Sequence, residues 1–221
     1  RRKPRPLSHF KRHRPRVAIL SPLLCVGPVY FLTIAGWRQI HRQSDIVVFH
    51  RGNRHDWATA DIRSLSQEWH EVTALDASQL ALAIYDADID VLYDLGGWMD
   101  PVALQALSVK PARLQYKWVG GQSVTPGLDS FDGWIGDDAQ SPTDLQHLYP
   151  EPLIQVPGGS ARYTPPSYLP APAARKRKDP VVFSNPAKVS SAFLQHLRGL
   201  PGKKVFVHRQ YQYPQARARI E

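Results

Sequence analysis

The 221-residue chain holds a single cysteine, Cys25, and a single methionine, Met99. One thiol makes no internal disulfide, and no Cys/His cluster has the spacing of a structural zinc site, so neither kind of staple is expected to hold the fold. A reducing, cytoplasmic setting fits this usage. Long apolar runs are lacking too: the longest, residues 23–35, is broken by Gly27 and Pro28. It falls short of the ~20 residues a membrane span needs, and no membrane partner is expected. Acids are missing from the first sixteen residues, which hold eight Lys/Arg and supply nearly all of the formal charge of +9. The rest of the chain is close to neutral apart from a short run, Arg175 to Lys178, so the broad basic face that groove binding requires is absent. Without interleaved stacking aromatics the basic tail reads as a linker rather than a nucleic-acid arm. Hydrophobic residues at 43% and charged ones at 21% are ordinary for a globular protein.

From Arg16 onward, short β-rich runs alternate with helix-length amphipathic segments, the pattern of βα units around a mostly parallel sheet. Strands are expected at 17–21, 46–50, 91–95, 114–119 and 153–156, with a weaker one at 133–136. Helices are expected at 29–42, 57–69, 77–85, 101–107 and 141–148. Asp76 precedes one helix as a capping residue, and Asp100-Pro101 and Ser141-Pro142 each set a capping side chain before a proline suited to the first helical position. Residues 161–179 shift to Pro, Ala and basic residues and read as a linker. The alternation resumes after it, with strands at 181–183 and 204–208 around a helix at 190–198. The expected organisation is therefore a basic tail (1–16), an α/β lobe (17–160), a linker (161–179) and the beginning of a second lobe (180–221).

Open parallel sheets bind ligands beyond the carboxyl ends of their strands, where glycine lets backbone approach the ligand. Four expected strands end in such loops: the stretch from Ser21 to Gly27-Pro28; Leu95-Gly96-Gly97-Trp98; Trp118-Val119-Gly120-Gly121-Gln122; and Val156-Pro157-Gly158-Gly159. A single Gly-bearing loop needs no more than turn geometry to explain it, but four such loops on one rim point to a ligand-binding edge. None is a GxGxxG or Walker sequence, so a dinucleotide or ATP has no support. Asp86-Ala87-Asp88 has the letters of a metal-binding DxD motif, but it falls on a helix-to-strand turn and reads as a solvated turn.

The ordered set from Asp90 to Trp98, from Ala106 to Gln115, from Trp118 to Gln122 and at Asp132-Gly133-Trp134, followed by Phe183-Ser184-Asn185-Pro186-Ala187-Lys188, resembles the O-GlcNAc transferase and SPINDLY-like glycosyltransferases. The resemblance implies a GT-B fold of two Rossmann-like lobes. It also implies an inverting, metal-independent transfer of a sugar, N-acetylglucosamine foremost, from a nucleotide sugar such as UDP-GlcNAc to a protein hydroxyl. No cofactor is implied beyond that co-substrate. Lys188 would meet the donor diphosphate and Asn185 would lie close to the nucleotide. Gly27, Pro28, Gly96, Gly97, Trp98, Trp118, Gly120, Gly121 and Gln122 would form the sugar- and acceptor-side loops. The implied partners are the nucleotide sugar, a protein or peptide acceptor and an upstream helical-repeat domain.

The chain departs from the pattern in two places. The family places a histidine in the loop after the first strand; here that position is Gly27, and no catalytic base is assigned, with His50 and His55 the nearest candidates. The family's downstream donor-binding segments have no counterpart before Glu221, so an incomplete second lobe is expected. Together these keep a second expectation open, a catalytically inactive binding or scaffold protein that retains the transferase fold.

Overall fold

The computed structural model describes residues 13–122, 124–172, 174 and 179–220. The first twelve residues of the basic tail and the run from Arg175 to Lys178 lie outside the described residues. The chain divides into two compact units, residues 1–167 and 168–221.

The first unit is built on a seven-stranded sheet in which every pairing is parallel. Its strands are β1 (Arg16–Ser21), β2 (Asp45–His50), β3 (Glu68–Glu71), β4 (Val91–Asp94), β5 (Leu114–Lys117), β6 (Gly133–Gly136) and β7 (Leu153–Gln155), in the order β3-β2-β1-β4-β5-β6-β7. This is a doubly wound arrangement whose order reverses between β1 and β4. The crevice at the carboxyl ends of those two strands is the natural ligand position.

The alternation of side chains along β1 explains the three layers. Val17 and Ile19 pack on one face with Ile46, Val48, Tyr30, Ile34 and Trp37, while Ala18 and Leu20 pack on the other with Val47, Phe49, Leu80, Ile84 and Leu104. A strand apolar on both faces must be covered on both. The first face is covered by α1 (Pro28–Ile40) and α2 (Trp57–Leu65), the second by α3 (Ala77–Asp86) and α4 (Pro101–Leu107). Trp37 is fully buried and packs edge-on against Tyr93 and Trp118 at ring-centroid distances of 5.6 and 5.3 Å.

Two of the three expected caps form. The Asp76 side chain accepts from the Gln79 amide at 2.9 Å and the Asp100 side chain from the Ala103 amide at 3.1 Å. Ser141 caps nothing. It packs against Gly136, where an added Cβ would lie 1.8 Å from its Oγ, and residues 143–148 form a 3₁₀ turn instead of the expected α-helix. The Gln146 side chain accounts for that turn by bonding the Leu153 amide and the Glu151 carbonyl, which draws the chain straight into β7. β3 was expected as the end of a helix. Ser66 turns extended, however, and the Gln67 side chain and amide pair with Ile46, so the chain joins the sheet edge.

The acids of the DxD-like turn sit at the amino end of β4, away from the rim. Arg113 binds Asp88 at 2.8 Å and Asp90 at 3.0 Å, and the Arg16 amide donates to Asp90 at 2.8 Å.

The second unit is a small βαβ element. β8 (Val181–Val182) pairs in parallel with β9 (Val205–Phe206), joined through α5 (Ser191–Arg198) and followed by α6 (Pro214–Ala218). The Ser190 hydroxyl caps α5 through the Phe193 amide at 3.2 Å.

Candidate functional site

The carboxyl-end loops of the first unit lock onto one another. A Cβ on Gly52 would lie 2.5 Å from the Pro22 carbonyl oxygen, and one on Gly96 would lie 2.9 Å from the Pro22 ring, so the loops after β2 and β4 both rest on the loop after β1. Arg51 and Asp100, each with only 7% of its side chain exposed, form a two-pronged ion pair at 2.8 and 3.2 Å, while Arg51 also reaches the Val72 and Leu75 carbonyls. Asp56 caps α2 and accepts from the Val26 amide at 2.9 Å. Burial would raise the Asp56 carboxyl pKa, but the Val26, Thr59 and Ala58 amides together with Arg54 outweigh it and hold it below the usual range.

At the centre of the rim stands a buried charge pair that sequence reasoning missed. Asp94 and Lys117 are register partners on β4 and β5, and both are buried. Lys117 Nζ donates to the carbonyls of Val119 at 2.7 Å, Asp94 at 3.3 Å and Gly120. The Asp94 carboxylate accepts from the Gly96 and Gly97 amides, each at 2.9 Å. Burial pulls the lysine down to about 8 against the attraction of Asp94, and burial likewise raises the Asp94 carboxyl. The ammonium thus serves as an internal staple: it satisfies carbonyls of the turn after β5, while its counter-charge satisfies amides of the turn after β4.

This staple explains the glycines. Gly97, Gly120 and Gly121 have φ of 52°, 74° and 62°. A Cβ on Gly97 would lie 2.9 Å from Lys117 Cε, and one on Gly120 would lie 2.1 Å from the Leu95 carbonyl oxygen. The two glycine pairs let the turns interdigitate, with Gly96 and Gly97 buried and Gly120 and Gly121 partly open. Trp118, expected on the rim, is a core side chain whose indole nitrogen donates to the Ser160 carbonyl at 2.7 Å.

The groups the rim does offer to a ligand are few. Trp98 and Met99 are about half exposed, and the Trp98 indole nitrogen donates to Thr125 at 2.9 Å. Gln122 accepts from the Gln140 side chain at 2.8 Å. Next to it a cleft of about 360 Å³ is lined by Asp137, Asp138, Ala139, Val156, Gly158 and Gly159. Asp137 is held at about 2 by the Ser160 amide and hydroxyl and by the Gln140 amide, so it stays ionised.

Gly27 is extended at φ 172° and Pro28 opens α1; nothing lies closer than 3.8 Å to a Cβ at Gly27. His50 is fully buried at the end of β2, and His55 is exposed in the loop that follows. In the second unit, Asn185 spends its side chain on the Ala187 amide at 3.0 Å, and Lys188 is exposed at the end of the turn it caps.

Comparison with known proteins places this architecture. The chain is 31% identical over 97 residues to SPINDLY of Eustoma exaltatum subsp. russellianum, an alignment covering 44% of this chain and 10% of that protein. SPINDLY of Petunia hybrida is 26% identical over 132 residues, 58% of this chain and 14% of the relative. SEC of Arabidopsis thaliana is 26% identical over 96 residues, with shares of 43% and 10%. All three are named probable UDP-N-acetylglucosamine–peptide N-acetylglucosaminyltransferases. A solved O-GlcNAc transferase of Thermobaculum terrenum, in mutant form, superposes with a TM-score of 0.84 at 25% identity, covering 94% of this chain and 41% of that one. No protein-family model matches. The alignments thus span about a tenth of these curated relatives. In sequence and in fold the chain is similar to the catalytic region of O-GlcNAc and SPINDLY transferases, an α/β architecture of the GT-B type.

Proposed function

We propose that the protein transfers N-acetylglucosamine from UDP-GlcNAc to a hydroxyl of a protein or peptide acceptor, by an inverting displacement that needs no metal at the reacting centre. The observation that carries this reading is the likeness of fold over 94% of the chain to an O-GlcNAc transferase, joined to relatives named for peptide N-acetylglucosamine transfer. In such a step the acceptor oxygen bonds to the anomeric carbon from the face opposite the diphosphate. The bond from that carbon to the diphosphate oxygen breaks, UDP leaves, and the acceptor proton passes to a base or to water.

Lys188 suits the donor side chemically. It is an exposed ammonium on a short turn, able to offset the charge that builds on the leaving diphosphate. Asn185 supports that turn by capping it and would lie beside the nucleotide. On the acceptor side, the reading assigns Trp98, Gly121 and Gln122, with Gly27 and Pro28, to the wall that faces the sugar and peptide. Gly96, Gly97 and Gly120 act one step back by shaping the turns, and Trp118 acts by anchoring them from the core.

The test is calorimetric titration of the full-length protein with UDP-GlcNAc. Saturable binding that weakens at least tenfold in Lys188→Ala is expected; a protein that binds neither UDP-GlcNAc nor UDP would remove the proposal.

A further inference from the structure

His50 is the anomaly of the first unit. It is fully buried, yet neither ring nitrogen makes a well-formed hydrogen bond, although the Arg54 backbone lies close enough to interact with the ring. Buried polar atoms are nearly always paired, and a native exception calls for a ligand or a role. The residues around it supply one. His50 is in register with Glu71 at the ends of the neighbouring strands β2 and β3, so the two side chains emerge on the same face of the sheet. The loop after β2 brings His55 back beside them, with the two imidazole rings 5.1 Å apart and His55 Nδ1 4.0 Å from Glu71 Oε1. One ligand atom from each of His50, His55 and Glu71 lies within 4.8 Å of the others; among the described residues no other trio of His, Cys, Asp or Glu meets so closely.

We propose that His50, His55 and Glu71 form a binding site for a divalent transition-metal ion, zinc being the best fit, with a coordination position left to solvent. Two imidazoles and one carboxylate are a zinc donor set; the two histidines alone are too few for a structural-zinc pattern in the sequence, and Glu71 completes the set only through the register of β3. Ligand atoms around a tetrahedral zinc stand roughly 3.3 Å apart, so the trio closes by shifts of about one ångström. His55 and Glu71, with 54% and 46% of their side chains exposed, are free to make them, while the strand end fixes His50. The Trp69 indole nitrogen donates at 2.7 Å to Glu71 Oε1, the same oxygen that lies 4.0 Å from His55 Nδ1, and so holds the carboxylate beside the histidines.

Metal at this position would pin the loop from Arg51 to Asp56 to the end of β3. Because Asp56 holds the Val26 amide, the restraint extends to the segment that carries Gly27. The site is independent of the glycosyl-transfer reading, and its test reads metal binding alone.

The full chain, free of affinity tags and stripped with EDTA, is titrated with zinc chloride by calorimetry and with cobalt(II) by visible absorption. One equivalent of each is expected, with the intense bands of four-coordinate cobalt. His55→Ala and Glu71→Gln, both at exposed side chains, should each weaken zinc at least tenfold while leaving the unfolding midpoint in EDTA unchanged. Absence of a saturable one-equivalent site overturns the proposal. So does zinc affinity unchanged in both variants, which would place the metal on other histidines.

Discussion

Replacing Lys117 by methionine keeps the unbranched stem of the side chain and removes the terminal ammonium with its charge and donors, so it probes the staple at the centre of the rim. Burial, partly offset by Asp94, has moved this lysine from 10.5 to about 8, which corresponds to a net cost of roughly 3 kcal/mol for holding the charge at neutral pH. Methionine relieves that term. It also leaves the Val119, Asp94 and Gly120 carbonyls without their donor and strands the buried Asp94 carboxylate without a counter-charge. Breaking one side of a buried charge pair typically costs about 3–5 kcal/mol, a figure that already includes the desolvation relieved, so the expectation for Lys117→Met is a loss of that order. The pH dependence carries a sign that distinguishes this account. The folded pKa lies below the unfolded one, so between about 8 and 10.5 the unfolded chain binds more protons, and the lysine's contribution to stability improves as pH rises. Urea unfolding of wild type and Lys117→Met at about pH 7.5 and again at about pH 9.5 should show the gap between them widening at the higher pH. A variant as stable as wild type, or a gap that shrinks with pH, would refute the reasoning.

Further outcomes follow from the same rim. Arg51→Met breaks the buried pair with Asp100 and should lower stability by about 3–5 kcal/mol in denaturant unfolding. Gly120→Ala, at φ 74° with a Cβ 2.1 Å from the Leu95 carbonyl oxygen, should destabilise far more than Gly127→Ala, at φ 71° with nothing within 4 Å; the latter should cost only about 1–2 kcal/mol for the left-handed backbone. Thermal unfolding of the pair compares them directly. Gly27→His meets an extended backbone and open space, so its unfolding midpoint should match wild type, and UDP-GlcNAc-dependent transfer should rise if a side chain there aids the reaction.

The doubly wound core was readable because β1, β2 and β4 are short apolar runs separated by helices whose buried residues recur at helical spacing, a signal that burial itself writes into sequence. β3 was not readable in the same way. It is a polar edge strand, Glu68-Trp69-His70-Glu71, held by Arg16 against Glu68 and by pairing with β2, and neither leaves a periodic trace. The Gly-rich loops were legible as a rim, but their glycines pointed to close approach of a ligand where the structure shows close approach of one turn to another. Lys117 and Asp94 carried a usable signal: a lysine at the end of one short strand, set against the terminal aspartate of the preceding parallel strand. Trp118 lies on the far side of a strand end whose length depended on where Lys117 turns the chain, and single-residue shifts of that kind exchange core for rim. The His50, His55 and Glu71 grouping needed the register of β3, so two histidines in a loop could not disclose it.

The most direct measurement of the central claim is intact-protein mass spectrometry of acceptor proteins incubated with the full-length protein and UDP-GlcNAc. The account predicts addition of single N-acetylhexosamine units to hydroxyl side chains, dependent on the donor and lost in Lys188→Ala. Acceptors left unmodified under conditions where the protein is folded and binds UDP-GlcNAc would contradict it.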